Sequence, residues 1–165
     1  SYNHQYGTNY KCLMPTNTFG PNDKYNSLNS HFIPSLIKKI YKIEKNNKNT
    51  ITLWGDGKPK REIIYVDDIA DACIYFMNKK TSHSLINIGT GKEDTIRGIT
   101  KLFLKTLLPS RDIKIKFDKN KPNGIKRKIL DVSLAKRYGW SAKNDIKKAI
   151  KYTYKDFKYI KVNSN

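Results

Sequence analysis

A chain of 165 residues, 38% hydrophobic and 12% aromatic, has the size of one ordinary domain and enough apolar side chains for one core. Its 33 basic and 14 acidic residues leave a net charge of +19, which makes nucleic acid the first partner to consider. The distribution argues against it, because only five of the cations are Arg, the lysines are scattered, and sixteen Asn accompany them. A solvated Lys- and Asn-rich surface is the simpler account, and the same charge still attracts anionic nucleotides.

Cys12 and Cys73 are too few for a disulfide framework, and no Cys/His cluster has metal-ligand spacing, so no metal is expected and a reducing cytoplasm fits. No apolar run approaches the length that spans a bilayer, and the first residues carry no export signal.

In chain order, Ser1-Tyr2-Asn3 reads as the end of a helix. Residues 10–15, Tyr-Lys-Cys-Leu-Met-Pro, form a short apolar strand that opens into a loop at Gly20-Pro21. From His31 to Ile43, Phe32, Ile33, Leu36, Ile37, Ile40 and Ile43 recur at helical spacing, with Pro34 placed in the first turn, where proline is tolerated. Residues 44–49 read as a loop, Ile51 to Trp54 as a strand, Gly55-Asp56-Gly57 as a tight turn and Ile63 to Val66 as a second strand. Asp67 or Asp68 sits where an N-cap is wanted, ahead of the helical face Ile69, Ala72, Cys73, Phe76 and Met77. A strand at Leu85 to Ile88, a helix from about Thr95 to Leu107, an alternating strand through Ile113, Ile115 and Phe117, and helices around 133–138 and 145–159 complete the pattern. Strands alternating with helices indicate an α/β fold with a parallel or mixed sheet.

The stretch Met14-Pro15-Thr16-Asn17-Thr18-Phe19-Gly20-Pro21, followed by Asn29-Ser30-His31-Phe32-Ile33-Pro34, is a strand end opening into a polar loop. That is where α/β sheets bind ligands, although an isolated Asn-x-x-Gly-Pro is more often a plain turn. Three further pieces follow in order: Trp54-Gly55-Asp56-Gly57, Arg61-Glu62-Ile63-Ile64-Tyr65-Val66-Asp67-Asp68-Ile69-Ala70, and Asn87-Ile88-Gly89-Thr90-Gly91. Together they resemble the second half of the extended short-chain dehydrogenases/reductases that act as nucleotide-sugar epimerases and dehydratases. The finer resemblance is to the GDP-L-fucose synthase family, through Met-Pro-Thr-Asn, Asn-Ser-His before an apolar helix, Trp-Gly-x-Gly-x-Pro-x-Arg-Glu, and Lys121-Pro122-Asn123-Gly124 before Arg127-Lys128.

The resemblance implies the C-terminal part of an NAD(P)-binding Rossmann-type fold with a small α+β substrate-binding lobe, residues 1–165 forming the substrate-binding portion. It also implies conversion of GDP-4-keto-6-deoxy-D-mannose to GDP-L-fucose, by epimerisation at C3 and C5 and reduction of the C4 ketone with NADPH. On this reading Pro15, Thr16, Asn17 and Thr18 lie along the nicotinamide end of NADP(H). His31 is then a general acid/base that also reaches the cofactor, which suits a group titrating near neutral pH. Without the family, a His at a helix start is more often a capping or packing residue. Lys39, Trp54, Arg61 and Asn123 match positions that bind the GDP-sugar. Lys39 stands where Arg is common, and so keeps the charge without the bidentate fork. Asn123 replaces the usual Asp. Arg127 and Lys128 are candidates to face the diphosphate or solvent, and Asp67 and Asp68 read as an N-cap and an anchor.

The family's Gly-rich phosphate turn, its Ser/Tyr/Lys reduction residues and its acid/base Cys all correspond to sequence upstream of Ser1. Gly89-Thr90-Gly91 is not the dinucleotide fingerprint. The expectation is therefore a GDP-sugar-binding part that needs an N-terminal dinucleotide-binding half, works as a homodimer when complete, and has no turnover alone. Two rivals stand beside it: a sister epimerase or dehydratase for another nucleotide sugar, and a non-catalytic polyanion-binding remnant.

Overall fold

The computed structural model describes residues 2–25 and 31–163. Two apolar cores organise it, where composition alone suggests one. The smaller is built on strands β1 (Cys12–Pro15) and β5 (Leu85–Ile88), which pair in parallel from Cys12↔Leu85 to Pro15↔Ile88. Parallel partners need a long crossover, and here it carries α2 (Phe32–Lys45), β3 (Thr50–Trp54), β4 (Lys60–Tyr65) and α3 (Val66–Asn78). Ile64, Ala72, Phe76, Ile86, Ile88, Ala135 and Trp140 fill this core. The Trp140 indole N–H donates to Asp71 Oδ2 at 2.8 Å, so the buried ring keeps its polar atom satisfied.

The larger core lies under α2, whose Ile33, Leu36, Ile37, Ile40 and Ile43 are all buried, as the helical spacing requires. Burial of side chains of this type contributes roughly 2 kcal/mol each. They pack with Ile51 and Leu53 of β3, Phe103 and Leu104 of α4 (Ile96–Leu107), and Phe157 of α6 (Ile146–Asn163). Strand β7 (Lys114–Asp118) runs parallel to β3 in the register Ile51↔Ile115 and Trp54↔Asp118. Thr95 caps α4, its Oγ1 accepting from Gly98 N at 2.9 Å.

Between the cores, β4 pairs in parallel with β2 (Asn17–Phe19) and β8 (Arg127–Lys128) and antiparallel with β6 (Glu93–Thr95). The helices α1 (Tyr2–Tyr6) and α5 (Ser133–Arg137) complete the described chain. No helix of the described residues is long and apolar enough to cross a membrane.

The capping assignment for α3 is corrected. Strand β4 runs directly into the helix, so that Tyr65 is the N-cap without a side-chain cap bond, and Asp67 and Asp68 both lie in the first turn. Carboxylates there still favour the positive end of the helix. The buried Asp68 is an anchor as expected, its Oδ1 accepting from Lys143 N at 2.9 Å, Asn144 N at 3.2 Å and Asn144 Nδ2 at 2.9 Å. The first helix of the larger core also runs two residues into the expected loop, to Lys45.

That extension places Glu44 against α6. Its carboxylate accepts from the buried Tyr154 hydroxyl at 2.6 Å and from Lys158 Nζ at 2.9 Å. Burial pushes the Glu44 carboxyl up, but hydrogen bonds from Lys158 and Tyr154 and the charges of Lys158 and Arg111 outweigh it, so the group lies below its ordinary value. A carboxyl depressed in the folded state adds stability above its unfolded pKa of about 4.3, and that stability is lost as pH falls through the lower folded value. Glu44→Gln is expected to cost about 1 kcal/mol at pH 7, discounted for partial solvent screening. Urea unfolding of both proteins should show that difference shrinking below about pH 4; a difference that persists at pH 3 contradicts the assignment.

Candidate functional site

At Thr16 the chain leaves the β1–β5 pair and enters β2. Thr16 N still donates to Ile88 O at 3.0 Å, holding the turn to the end of β5. Asn17 Nδ2 donates to Glu62 O at 2.6 Å, and Thr18 Oγ1 donates to Thr16 O at 3.2 Å. Thr16 is 6% exposed, and its Oγ1 has no hydrogen-bond partner among the described residues. A buried hydroxyl left unpaired costs free energy and is a place for a ligand's polar group.

This turn forms one wall of a cleft of about 410 Å³, lined also by His31, Phe32, Arg61 and Lys128. His31 is the N-cap of α2, and its carbonyl accepts from Ser35 N at 3.1 Å. Its imidazole makes no capping bond and is exposed, which removes the side-chain capping reading. Phe32 and Arg61 also line a second cleft, of about 410 Å³, with Lys39, Trp54, Pro122 and Asn123. The four residues expected to hold a GDP-sugar thus share one cleft, and Thr16, Asn17, Thr18 and His31 share the adjoining one. Pro15 pairs with Ile88 in the sheet and lines neither cleft. Asn29 and Ser30 of the Asn-Ser-His motif lie outside the described residues.

Local folding fixes the polar groups. Lys39 Nζ donates to Thr52 O at 2.7 Å, and burial lowers the pKa of its ammonium. Arg61 Nη1 donates to Lys60 O at 2.8 Å and to Ile125 O at 2.7 Å, tying β4 to the segment that carries Asn123. Asn123 Oδ1 accepts from Asp56 N at 2.7 Å, so the oxygen assigned to a sugar hydroxyl already serves the turn. Gly55, at φ 77°, has no room for a side chain because Asn123 lies against it. Trp54 is 62% exposed, with Lys121 Nζ 5.7 Å from its ring centroid.

Arg127 and Lys128 separate. Arg127 Nε pairs with Glu93 Oε2 at 2.8 Å, and Lys60 Nζ pairs with Glu93 Oε1 at 3.2 Å. The bond from Arg127, with that from Lys60, holds the Glu93 carboxyl below its usual range. Lys128 lines the His31 cleft. No Asp or Glu among the described residues lines either cleft, while Lys39, Arg61 and Lys128 do. Sequence reading quoted Glu62 within its motif but gave it no role. It is fully buried and accepts bonds from Gly91 N, Thr90 Oγ1 and Leu130 N. Glu62 stands two residues before Ile64 and so on the same face of β4, and a carboxylate in phase with an apolar inward position was the available signal.

Parallel strands whose ends open on a cleft lined by cations, one wall of it a buried turn with a spare hydroxyl, define an α/β module of the Rossmann type. The chain belongs to the NAD dependent epimerase/dehydratase family, whose model matches residues 1–89. It is 36% identical to the GDP-L-fucose synthase of Escherichia coli (strain K12) over 166 residues, covering 95% of this chain and 51% of that protein. It is 38% identical to the GDP-L-colitose synthase of Yersinia pseudotuberculosis over 149 residues, covering 90% of this chain and 48% of that one. The crystal structure of a GDP-L-fucose synthetase from Naegleria fowleri bound to NADP matches with a TM-score of 0.80 at 25% identity, covering 92% of this chain and 47% of that chain. The chain spans about half the length of the curated relatives it matches.

Proposed function

We propose that residues 1–165 supply the GDP-sugar-binding part of an NADP-dependent enzyme that epimerises and reduces GDP-4-keto-6-deoxy-D-mannose to GDP-L-fucose. The observation that carries this reading is the pair of adjoining clefts, with cations from three separate elements, an exposed Trp54, a His31 imidazole that makes no capping bond, and no lining carboxylate among the described residues. A diphosphate suits that charge balance. Arg61 and Lys39 neutralise it from β4 and α2, and Trp54 offers a flat face to a ring. His31 moves a proton at a carbon beside the ketone, as the general acid/base of the epimerisation.

The Thr16 turn fits the nicotinamide end of the cofactor, because its unpaired buried hydroxyl offers a hydrogen bond to a carboxamide or a sugar oxygen. The cofactor, when bound, supplies the hydride for the C4 ketone. The chain's own residues bind and orient the keto-sugar and carry the proton at His31. We assign the dinucleotide-binding half to a separate segment, and the complete enzyme to a homodimer in a reducing cytoplasm, where the exposed Cys12 and Cys73 stay thiols. The 165 residues alone should oxidise no NADPH with the keto-sugar.

The colitose synthase relative supports a second reading, a different GDP-linked deoxysugar in the same cleft. Calorimetric titration with GDP and UDP tests what the two readings share. GDP is expected to bind at least tenfold more tightly, and equal or tighter binding of UDP contradicts both. Lys39→Arg, which restores the bidentate fork, is expected to tighten GDP binding by roughly three- to tenfold in the same titration.

A further inference from the structure

We propose that Glu62 is a positioning residue that sets the two walls of the cleft against each other. Its carboxylate sits between the cores, 0% exposed, and forms no ion pair with a cation among the described residues. Three donors converge on it instead: Gly91 N at 2.7 Å and Thr90 Oγ1 at 3.2 Å on Oε1, and Leu130 N at 3.0 Å on Oε2. A buried carboxylate is tolerated only when donors replace its lost water, and these donors come from two segments distant in sequence.

One arm reaches the wall that carries the spare hydroxyl. Thr90 and Gly91 follow β5, whose Ile88 O holds Thr16 N, and the Glu62 carbonyl itself accepts from Asn17 Nδ2 at 2.6 Å. The other arm reaches the cationic wall, since Leu130 stands two residues after Lys128, and Arg61 precedes Glu62 in β4. The contact is also steric. A Cβ on Gly89 would overlap Glu62 Oε1 and press on Val132 Cγ1 at 3.2 Å, although the backbone of Gly89 is not in the left-handed region, so the carboxylate is the main bar to a side chain at this position. Glutamine cannot replace the acid, because its NH₂ would face one of the converging N–H donors. Lengthening residue 89 or neutralising residue 62 should therefore shift both walls by the same route.

The inference uses the GDP reading for its ligand but not for its geometry, and the test keeps the two apart. Amide chemical shifts of Thr16, Asn17 and Lys128 are recorded for the wild type, Glu62→Gln, Gly89→Ala and the double variant Glu62→Asp with Gly89→Ala, and GDP affinity is measured for each. The expected result is that both single variants move the amides of both walls, protect the helix amides of α2 and α4 as in the wild type, and weaken GDP about tenfold. The double variant, whose shorter acid makes room for the methyl, should recover part of the loss relative to Gly89→Ala. If the wall amides keep their wild-type shifts, or if they move with GDP affinity unchanged, the positioning role is overturned and Glu62 is only a buried tie. A wild type that binds no GDP refutes the ligand reading instead, and the wall amides then decide Glu62 alone. Should Glu62→Gln fail to fold, Gly89→Ala carries the test.

Discussion

Arg61→Ala should weaken GDP binding about fiftyfold, a loss of roughly 2–3 kcal/mol at about 1.4 kcal/mol per decade. Two losses add. The substitution removes the one cation among the described residues that lines both adjoining clefts, and it breaks the bond from Nη1 to Ile125 O that ties β4 to the segment carrying Asn123. A charge-assisted contact to phosphate accounts for most of the effect, with the released segment adding the rest. Arg61→Lys should recover only a fraction, since an ammonium keeps the charge but cannot bond Lys60 O and Ile125 O while still facing a ligand. Unfolding free energy should change little in either variant, by under about 1 kcal/mol, because the side chain is half-buried and both of its protein partners are exposed carbonyls. A calorimetric affinity within threefold of the wild type for Arg61→Ala contradicts the placement of the diphosphate.

The largest expected effect on stability is at Trp140. Its ring is 1% exposed, packs within 6.4 Å of Phe76 by ring centroids, and donates to Asp71. Trp140→Ala opens a cavity in the smaller core and leaves the Asp71 carboxylate without that donor, at an expected cost of about 4 kcal/mol. Against a total of about 5–15 kcal/mol for a domain, that is a large share. The thermal midpoint should fall by roughly 10 °C, given about 2–4 °C per kcal/mol at this chain length. Trp140→Phe should cost less than half as much. The smaller core lies behind Ile88 and the Thr16 turn, so the same alanine variant should loosen that wall of the cleft. Circular dichroism during a thermal scan checks both substitutions, and a midpoint for Trp140→Ala within 3 °C of the wild type contradicts the packing account.

The long elements were legible because their signal is periodic and local. The Ile33, Leu36, Ile37, Ile40 and Ile43 stripe specifies α2, and the alternation of Ile113, Ile115 and Phe117 marks β7, whatever their partners. Strands β2, β6 and β8 were not legible, being two or three residues long and polar apart from the buried Phe19, and existing only because β4 lies between them. Pairing across that distance leaves no local pattern. The start of α3 was misplaced for a related reason. Asp67 and Asp68 have capping chemistry, but the buried Tyr65 at the end of β4 decides where extended backbone stops.

The site was legible in part. Family resemblance named Lys39, Trp54, Arg61 and Asn123 from positions spread over 85 residues of chain, and the fold gathers them in one cleft. Composition could not separate Arg127 from Lys128, because what divides them is Glu93, paired with one and not the other. Glu62 escaped because its three donors lie 28 to 68 residues away. A buried hub of this kind is defined by tertiary contacts rather than by its neighbours in sequence.

The central claim, that this chain holds a GDP-sugar in the Trp54 cleft, is tested most directly by tryptophan fluorescence during a GDP titration. The two tryptophans differ sharply in exposure, Trp54 at 62% and Trp140 at 1%, so a bound ring should alter the signal of Trp54 and leave that of Trp140 intact. The account predicts a saturable change with GDP that is absent in Trp54→Phe and weakened about fiftyfold in Arg61→Ala, by the same phosphate contact argued above. A saturable change of equal size and midpoint in Trp54→Phe, or none in the wild type at millimolar GDP, contradicts it.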